Sequence, residues 1–300
     1  MNVFVTGATG FVGTAVVHEL LTAGHTVLGL ARSAASAEKL VEMGASVHHG
    51  DLTDFQSLKS GVAMSDAVIH LGFVHDFSRF EEMCALDKEV IRAIGDTLLG
   101  TSKPFIVTSG TALFSRPGIT TEQDVSTNIP NPRIATENAA DEMAAKGVNI
   151  AVIRLSPSVH GRGDRIGFVP LLIKAAREKG VSAMIHQGNN VWPAVHRLDA
   201  AALYRLALEK PFEKGIRYHA VAEQGVPFRS IAVAIAEQLE IPLVSLNEQE
   251  ATQHFGWLTH FAELDNLTSS EQTKKYLGWI PQHPTLLHDL KEGDYFTPMQ

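Results

Sequence analysis

Three evenly spaced glycines, Gly7, Gly10 and Gly13, are the residues of this 300-residue chain whose type and spacing speak first of chemistry. They follow the apolar run Val3-Phe4-Val5 and lead into Ala15-Val16-Val17-His18-Glu19-Leu20-Leu21, where apolar residues recur at helical spacing. A strand that passes through glycines into a helix leaves backbone N–H groups unpaired at the positive helix end, which suits a diphosphate. One glycine turns the chain off the strand, the next admits a phosphate close to the backbone, and the third lets helix and strand pack closely. Thr9, Phe11 and Val12 stand between them and are counted with the cofactor contacts. Another strand, over residues 24–31, follows at the distance a crossover needs, so a dinucleotide is expected rather than a plain glycine turn.

The end of that second strand selects the cofactor. An acidic residue there would accept from the ribose hydroxyls of NAD, whereas Arg32 and Ser33 suit a 2′-phosphate, so NADP(H) is expected in preference to NAD. Asp51, beside Leu52, could accept from the adenine amino group, or the run Asp51-Leu52-Thr53-Asp54 could cap the next helix; both readings stand. Residues 66–73 read as a strand buried on both faces, and its carboxyl end, with Gly72 and Phe73, should face the cofactor.

Groups for carbonyl or proton chemistry are fewer. Ser109 and Thr111 lie where the carboxyl edge of a fifth strand would meet a substrate, and either hydroxyl could bond a carbonyl or merely cap the loop. Of 14 histidines, His75, His160, His196 and His254 fall near the expected crevice. His75 is preferred, because the adjacent Asp76 could orient or charge its imidazole. Phe73, Trp192, Phe255, Trp257 and Phe261 could line an apolar pocket or belong to the core. No His-Glu-x-x-His or similar ligand spacing occurs and Cys84 is the sole cysteine, so neither a catalytic metal nor an internal disulfide is expected.

These residues need a scaffold. Strands near residues 3–5, 24–31, 45–52, 66–73, 103–112 and 149–155 alternate with helical stretches, which is the pattern of an α/β doubly wound parallel sheet, the Rossmann fold. Residues 1–155 are read as the NAD(P)-binding domain, its sheet completed by a strand near 215–220, and residues 156–300 mainly as a smaller substrate lobe. The loop over 114–132 is long and polar, and such loops are often functional. A hydrophobic fraction of 45% with 19% charged residues is ordinary for a globular protein, and a net charge of −8 without any basic run argues against a nucleic-acid partner. The first strand begins at residue 2 or 3 and no apolar run approaches about 18 residues, so neither a signal peptide nor a membrane partner is expected, and the cytoplasm is the expected location.

Together these motifs resemble, over nearly the whole chain, the short-chain dehydrogenase/reductase superfamily in its extended form, which includes NAD-dependent epimerases, dehydratases and dihydroflavonol reductases. The resemblance implies that residues 6–13 are the cofactor loop and Gly50-Asp51-Leu52 the adenine contact. It makes Val68-Ile69-His70-Leu71-Gly72 the strand beside the nicotinamide ribose, and Pro157-Ser158-Val159-His160-Gly161 the segment whose backbone flanks the nicotinamide. Residues 192–201 are similar to the family's Val-His-Val-x-Asp-Val-Ala element in the substrate lobe. At the active site the chain departs from the pattern. Where the family carries Tyr-x-x-x-Lys, this sequence reads Pro132-Arg133-Ile134-Ala135-Thr136-Glu137, and the companion serine position falls on Gly110. Arg133 is too basic to donate a proton readily but could polarise a carbonyl or pair with a carboxylate; Glu137, one turn on, could simply form a helix-surface pair with it. The expected activity is NADPH-dependent reduction of a carbonyl on a small-molecule substrate, with a non-standard proton donor. A non-catalytic NADP(H)-binding sensor, or an epimerase or dehydratase that recycles its cofactor, are the alternatives. Family members often dimerise through helices, so a homodimer is compatible with the resemblance.

Overall fold

The computed structural model describes residues 1–125 and 129–297. Its first half alternates strand and helix: β1 (Asn2–Thr6), α1 (Phe11–Thr22), β2 (Thr26–Ala31), α2 (Ala34–Glu42), β3 (Ser46–His49), α3 (Phe55–Ala63), β4 (Ala67–His70), α4 (Phe80–Leu98), β5 (Phe105–Gly110), α5 (Ile134–Ala145) and β6 (Ile150–Leu155). Short polar side chains set the starts of two helices. Ser33 Oγ accepts the Ser36 N–H at 3.2 Å to cap α2, and Asp54 Oδ1 accepts from Gln56 and Ser57, both at 3.1 Å, to cap α3.

The second half comprises β7 (Ser158–His160), α6 (Phe168–Lys179), β8 (Ser182–Ile185), β9 (Val191–His196), α7 (Arg197–Glu209), β10 (Ile216–Ala220), β11 (Glu223–Pro227), α8 (Phe228–Leu239), β12 (Leu243–Leu246), α9 (Glu248–Phe255), α10 (Thr259–Ala262), α11 (Glu271–Leu277) and α12 (Leu286–Glu292). Strand β7, just after β6, pairs in parallel with β9 and was not expected from the sequence. Strands β8, β9, β11 and β12 were likewise absent from the sequence-based expectation; they build a three-stranded sheet, β11-β9-β7, and a two-stranded one, β12-β8.

The main sheet has seven strands in the order β10-β6-β5-β4-β1-β2-β3, and every pairing is parallel. Strand order therefore reverses between β1 and β4, and a crevice opens outside the carboxyl ends of those two strands, where α/β sheets bind ligands. One face of the sheet is covered by Val16, Val17 and Leu20 of α1 with Leu203, Tyr204 and Ala207 of α7. The other is covered by Leu58 and Val62 of α3, Val90, Ile91 and Ile94 of α4 and Ala139, Ala140 and Met143 of α5. A separate apolar cluster, including Trp192, Phe228, Ile231 and Leu286, fills the second half. The loop over 114–132 is tied at Thr120, whose N–H donates to Leu267 O and whose carbonyl accepts from Ser269, both at 2.8 Å; residues 126–128 of that loop lie outside the described residues. Among the described residues no helix is long and apolar enough to cross a membrane.

Candidate functional site

The glycine turn sits at the point of strand reversal. Gly7 has φ +67°, and a Cβ there would lie 2.7 Å from Gly72 N, so the turn after β1 and the chain leaving β4 touch backbone to backbone. A Cβ on Gly13 would lie 2.0 Å from Gly7 O. Gly10 N–H closes the turn on Gly7 O at 3.0 Å, and Gly10 N-caps α1 without any side-chain acceptor. The first-turn N–H groups of α1 thus face the crevice uncapped by a side chain, and the turn fits a diphosphate. Phe11, on that turn, lies under the Arg197 guanidinium, 4.9 Å from the ring centroid.

Arg32 and Ser33 follow β2 and are exposed, the serine hydroxyl being spent on the α2 cap. The sequence reading missed Lys39 on α2. Its Nζ reaches back to Thr9 O at 3.0 Å and brings a cation to the glycine turn. The signal was a lysine seven positions after the arginine, too ordinary on a helix surface to single out. Asp51 does not cap α3, a task that falls to Asp54; its Oδ1 accepts from the Thr53 N–H at 2.9 Å and hydroxyl at 2.8 Å.

A buried polar chain leads from the turn to Arg133. Gly72 N–H donates to Thr6 Oγ1 at 3.1 Å, Thr6 Oγ1 meets His70 Nδ1 at 2.6 Å, and His70 Nε2 meets Asp87 Oδ1 at 3.0 Å. The donor order that pairs each atom is Gly72 N–H to Thr6 Oγ1, Thr6 O–H to His70 Nδ1, and His70 Nε2–H to Asp87. The other oxygen of Asp87 accepts from Arg133 Nη1 at 2.6 Å and from Thr136 Oγ1 at 2.5 Å, while Arg133 Nη1 also contacts Thr136 Oγ1. Arg133 Nη2 donates to Thr108 O at 3.1 Å, and its guanidinium lies 4.0 Å from the Phe73 ring centroid. Burial pushes the Asp87 carboxyl up, but Arg133, His70 and Thr136 outweigh it and hold it well below the usual carboxylate range. Thr6 and His70 were foreseen only as members of the cofactor loop and of the neighbouring strand, and Asp87 and Thr136 were given no role, because the sequence separations within this chain carry no periodic signal.

The expected surface pair between Arg133 and Glu137 does not form. Glu137 is fully buried and takes Arg154 Nε at 2.9 Å, Arg154 Nη2 at 3.0 Å and Arg217 Nε at 3.1 Å. The Arg154 guanidinium also lies 3.7 Å from the Phe114 ring centroid and 3.3 Å from His219 Nε2. Burial raises the Glu137 carboxyl, but Arg154 and Arg217 outweigh it, and the net shift is downward. The side chain at this helix position is therefore locked among β6 and β10.

The remaining expected residues divide. Thr111 is fully buried with its hydroxyl on Asn266 Oδ1 at 2.8 Å, so it does not offer a donor to a carbonyl. Ser109 Oγ is buried and, among the described residues, has no hydrogen-bond partner of normal geometry. His75 lies edge-on to Phe73 at 5.1 Å, but Asp76 caps the turn at Ser78 instead of holding the imidazole. Surrounding protein and then Arg133 push the His75 pKa below its ordinary value, the opposite of the charging expected from Asp76. Leu71 N–H donates to Thr6 O at 3.2 Å, and Leu71 and Gly72 backbone atoms lie against the turn at Gly7. Leu52 side-chain atoms lie within 3.2 Å of where a Gly72 Cβ would be. Pro157 links β6 to β7. His160 is tied to Asp289 at 2.6 Å and sits edge-on to His196, which stacks on His283 at 4.8 Å. His254 packs against Phe255, and Trp192 and Phe255 belong to the core of the second half.

Residues 3–220 match the model of the NAD dependent epimerase/dehydratase family. Over 297 residues, 99% of this chain and 100% of the other, the sequence is 50% identical to the uncharacterized protein C2A9.02 of Schizosaccharomyces pombe. It is 30% identical to a 2-alkyl-3-oxoalkanoate reductase of Stenotrophomonas maltophilia, over 70% of this chain and 66% of that one. The fold matches that of DesIV, a dTDP-glucose 4,6-dehydratase from Streptomyces venezuelae solved as a double mutant with NAD bound, at a TM-score of 0.76 and 17% identity, covering 99% of this chain and 97% of that one. A glycine turn at the point of strand reversal and a family model that spans the whole parallel sheet agree: the chain belongs to the NAD dependent epimerase/dehydratase family.

Proposed function

We propose that this protein is an NADPH-dependent reductase of a carbonyl in a small molecule, and that Arg133 holds the carbonyl oxygen. The observation that carries the proposal is the fixed guanidinium: Asp87 Oδ2 at 2.6 Å and Thr108 O at 3.1 Å clamp it, with the Phe73 ring on its face. Residues 7–13 would hold the diphosphate, Arg32 and Lys39 the 2′-phosphate, Asp51 and Leu52 the adenine, and Leu71, Gly72, Phe73 and Pro157 the nicotinamide ribose and ring. A nicotinamide bound there supplies hydride. Arg133 orients the carbonyl and stabilises negative charge gathering on its oxygen, as preorganised donors do at low dielectric. Asp87 and Thr108 keep the guanidinium from rotating away, so little reorganisation accompanies the reaction. A guanidinium stays protonated in proteins, so the proton for the product oxygen comes from water rather than from Arg133.

The relative named as a reductase acts, by its name, on an oxoalkanoate, which is consistent with ketone reduction. The solved relative with NAD bound shares the fold, and the preference for NADP(H) here rests on the two cations and the absence of an acid after β2. Fluorescence titration with NADPH, then loss of nicotinamide absorbance across a panel of ketones and aldehydes, tests the reading. Turnover is expected to fall steeply in Arg133→Ala. Binding without turnover on any carbonyl would favour a non-catalytic sensor instead. Arg32→Asp should weaken NADPH roughly 10- to 100-fold and NADH little, the loss of a charge-assisted phosphate contact. Equal weakening of both nucleotides would remove the argument for the phosphate.

A further inference from the structure

A cation from the second half of the chain stands over the glycine turn. Arg197 opens α7 directly after His196, whose Nδ1 accepts the Leu198 N–H at 3.2 Å. Its guanidinium lies 4.9 Å from the Phe11 ring centroid, its Nη2 is 3.4 Å from Thr14 Oγ1, and its Nη1 donates to Arg162 O at 3.1 Å. Phe11 and Thr14 are the first and fourth residues of α1, so the charge rests on the first turn of that helix. The loop after β7 is shaped around this side chain. Gly161 has φ +131°, and a Cβ there would lie 3.1 Å from Arg197 Cγ. Tyr295 Oη and the Asp294 carboxylate hold the loop from the other side, accepting the Gly161 and Gly163 N–H groups, each at 3.2 Å.

Among the described residues no carboxylate pairs with Arg197. Asp199, two positions on, is spent on Gln282 N–H and the His283 ring, both at 2.8 Å, and Asp294 takes Arg165 at 2.7 Å. Arg197 is half-buried, and burial pushes its pKa down with no acidic neighbour to raise it. Both α1 and α7 present their positive ends here, and α1 has no side-chain cap. Two helix starts and a half-buried guanidinium thus concentrate positive charge that only an anion would offset. A dinucleotide brings its diphosphate to that end of α1. Resting on the assignment of residues 7–13 to the diphosphate, and not on the carbonyl chemistry, we infer that Arg197 is a cofactor-binding residue supplied by the second half, whose guanidinium pairs with the diphosphate and fastens that half to the nucleotide.

The test compares the full chain with Arg197→Met, which keeps an apolar stem on Phe11 and removes the charge. Calorimetry measures NADPH, NADH and ADP-ribose, and competition measures adenosine 2′-monophosphate, which has no diphosphate. Affinity for the three diphosphates is expected to fall by a common factor of roughly tenfold or more, and affinity for the monophosphate to stay unchanged. Arg32→Asp, by contrast, separates NADPH from NADH. The weakening of NADH binding by added salt should also be shallower in Arg197→Met than in the parent. If Arg197→Met melts too early to titrate, Arg197→Gln, which keeps a donor toward Arg162 O, decides on the same ligands. Diphosphate affinities within about twofold of the parent would overturn the inference. So would equal weakening of ADP-ribose and the monophosphate, because the arginine would then be shaping the turn rather than meeting the charge. A parent that binds none of these nucleotides would remove the assignment of residues 7–13 and the inference with it. Nucleotide binding that depends on Arg197, with no carbonyl reduced, would leave the inference standing and remove the reductase reading.

Discussion

Replacing Glu137 with lysine would rebuild the family's charge at that helix position, and the structure predicts that it unfolds the protein instead of restoring chemistry. The Glu137 carboxylate takes three hydrogen bonds from Arg154 and Arg217, and neither Glu137 nor Arg154 has any exposed side chain. Breaking a buried pair by removing one partner costs about 3–5 kcal/mol, because the other charge is left uncompensated. Lysine adds a third cation to the two arginines, so that range is a lower bound. Arg217 keeps Asp141 at 2.7 Å, but among the described residues Arg154 keeps only His219 and the face of Phe114. Against a native stability of roughly 5–15 kcal/mol, most of the margin disappears. Glu137→Lys should therefore be insoluble or melt more than about 10 °C below the parent in a thermal scan. Glu137→Gln should lose less, and Glu137→Leu combined with Arg154→Met, which removes both charges, should recover much of the loss in urea titrations. A Glu137→Lys protein within about 1 kcal/mol of the parent would refute the reasoning, because the buried pairing would then contribute nothing measurable.

Three further outcomes follow from the same contacts. Asp87→Asn should lower kcat/KM roughly tenfold or more with little change in NADPH affinity, since it frees the guanidinium without touching the glycine turn; steady-state kinetics beside nucleotide titration separates the two. Gly13→Ala should do the opposite, abolishing nucleotide binding in the fluorescence titration, because a Cβ 2.0 Å from Gly7 O forces the turn open. Burial, then His160, against the pull of Asp289, lowers the His196 pKa from 6.5 to about 4. The unfolded chain takes up this proton first as the pH falls, so the contribution is complete above pH 6.5 and drains away toward pH 4, amounting to about 3 kcal/mol at most. Urea midpoints should fall between pH 7.5 and 5.0, and the drop should shrink in His196→Asn, which keeps an acceptor for the Leu198 N–H at the start of α7; equal drops would assign the pH dependence to other groups.

The half of the chain that repeats strand and helix was legible because its strands are apolar runs bounded by turns and its helices carry long periodic faces. The glycine turn was legible for the same reason, being local. Strands β7, β8 and β12 span three or four residues each, too short for alternation to register, and β9 carries a proline at position 193. Reasoning from sequence placed Arg133 in the site but mistook its partner, since Asp87 lies 46 positions away while Glu137 is the tempting neighbour one turn on. Glu137 in turn is bound by Arg154 and Arg217, 17 and 80 positions away, on strands that become neighbours only once the sheet has assembled. Ion pairs of that kind are products of topology, and a helical-spacing rule has no view of them.

The seventh strand of the main sheet, β10, arrives only after the chain has gone out through β7, α6, β8 and β9 and come back along α7. The outlying part is thus threaded into the sheet at both of its ends, like an insert sewn along two seams. Cutting the chain after residue 155 would strip β6 of its outer neighbour and uncover the face of the sheet under α7, so residues 1–155 taken alone would lack both contacts. Grafting a different outlying part is the more promising operation, provided that its two ends are set as far apart as β6 and α7 require.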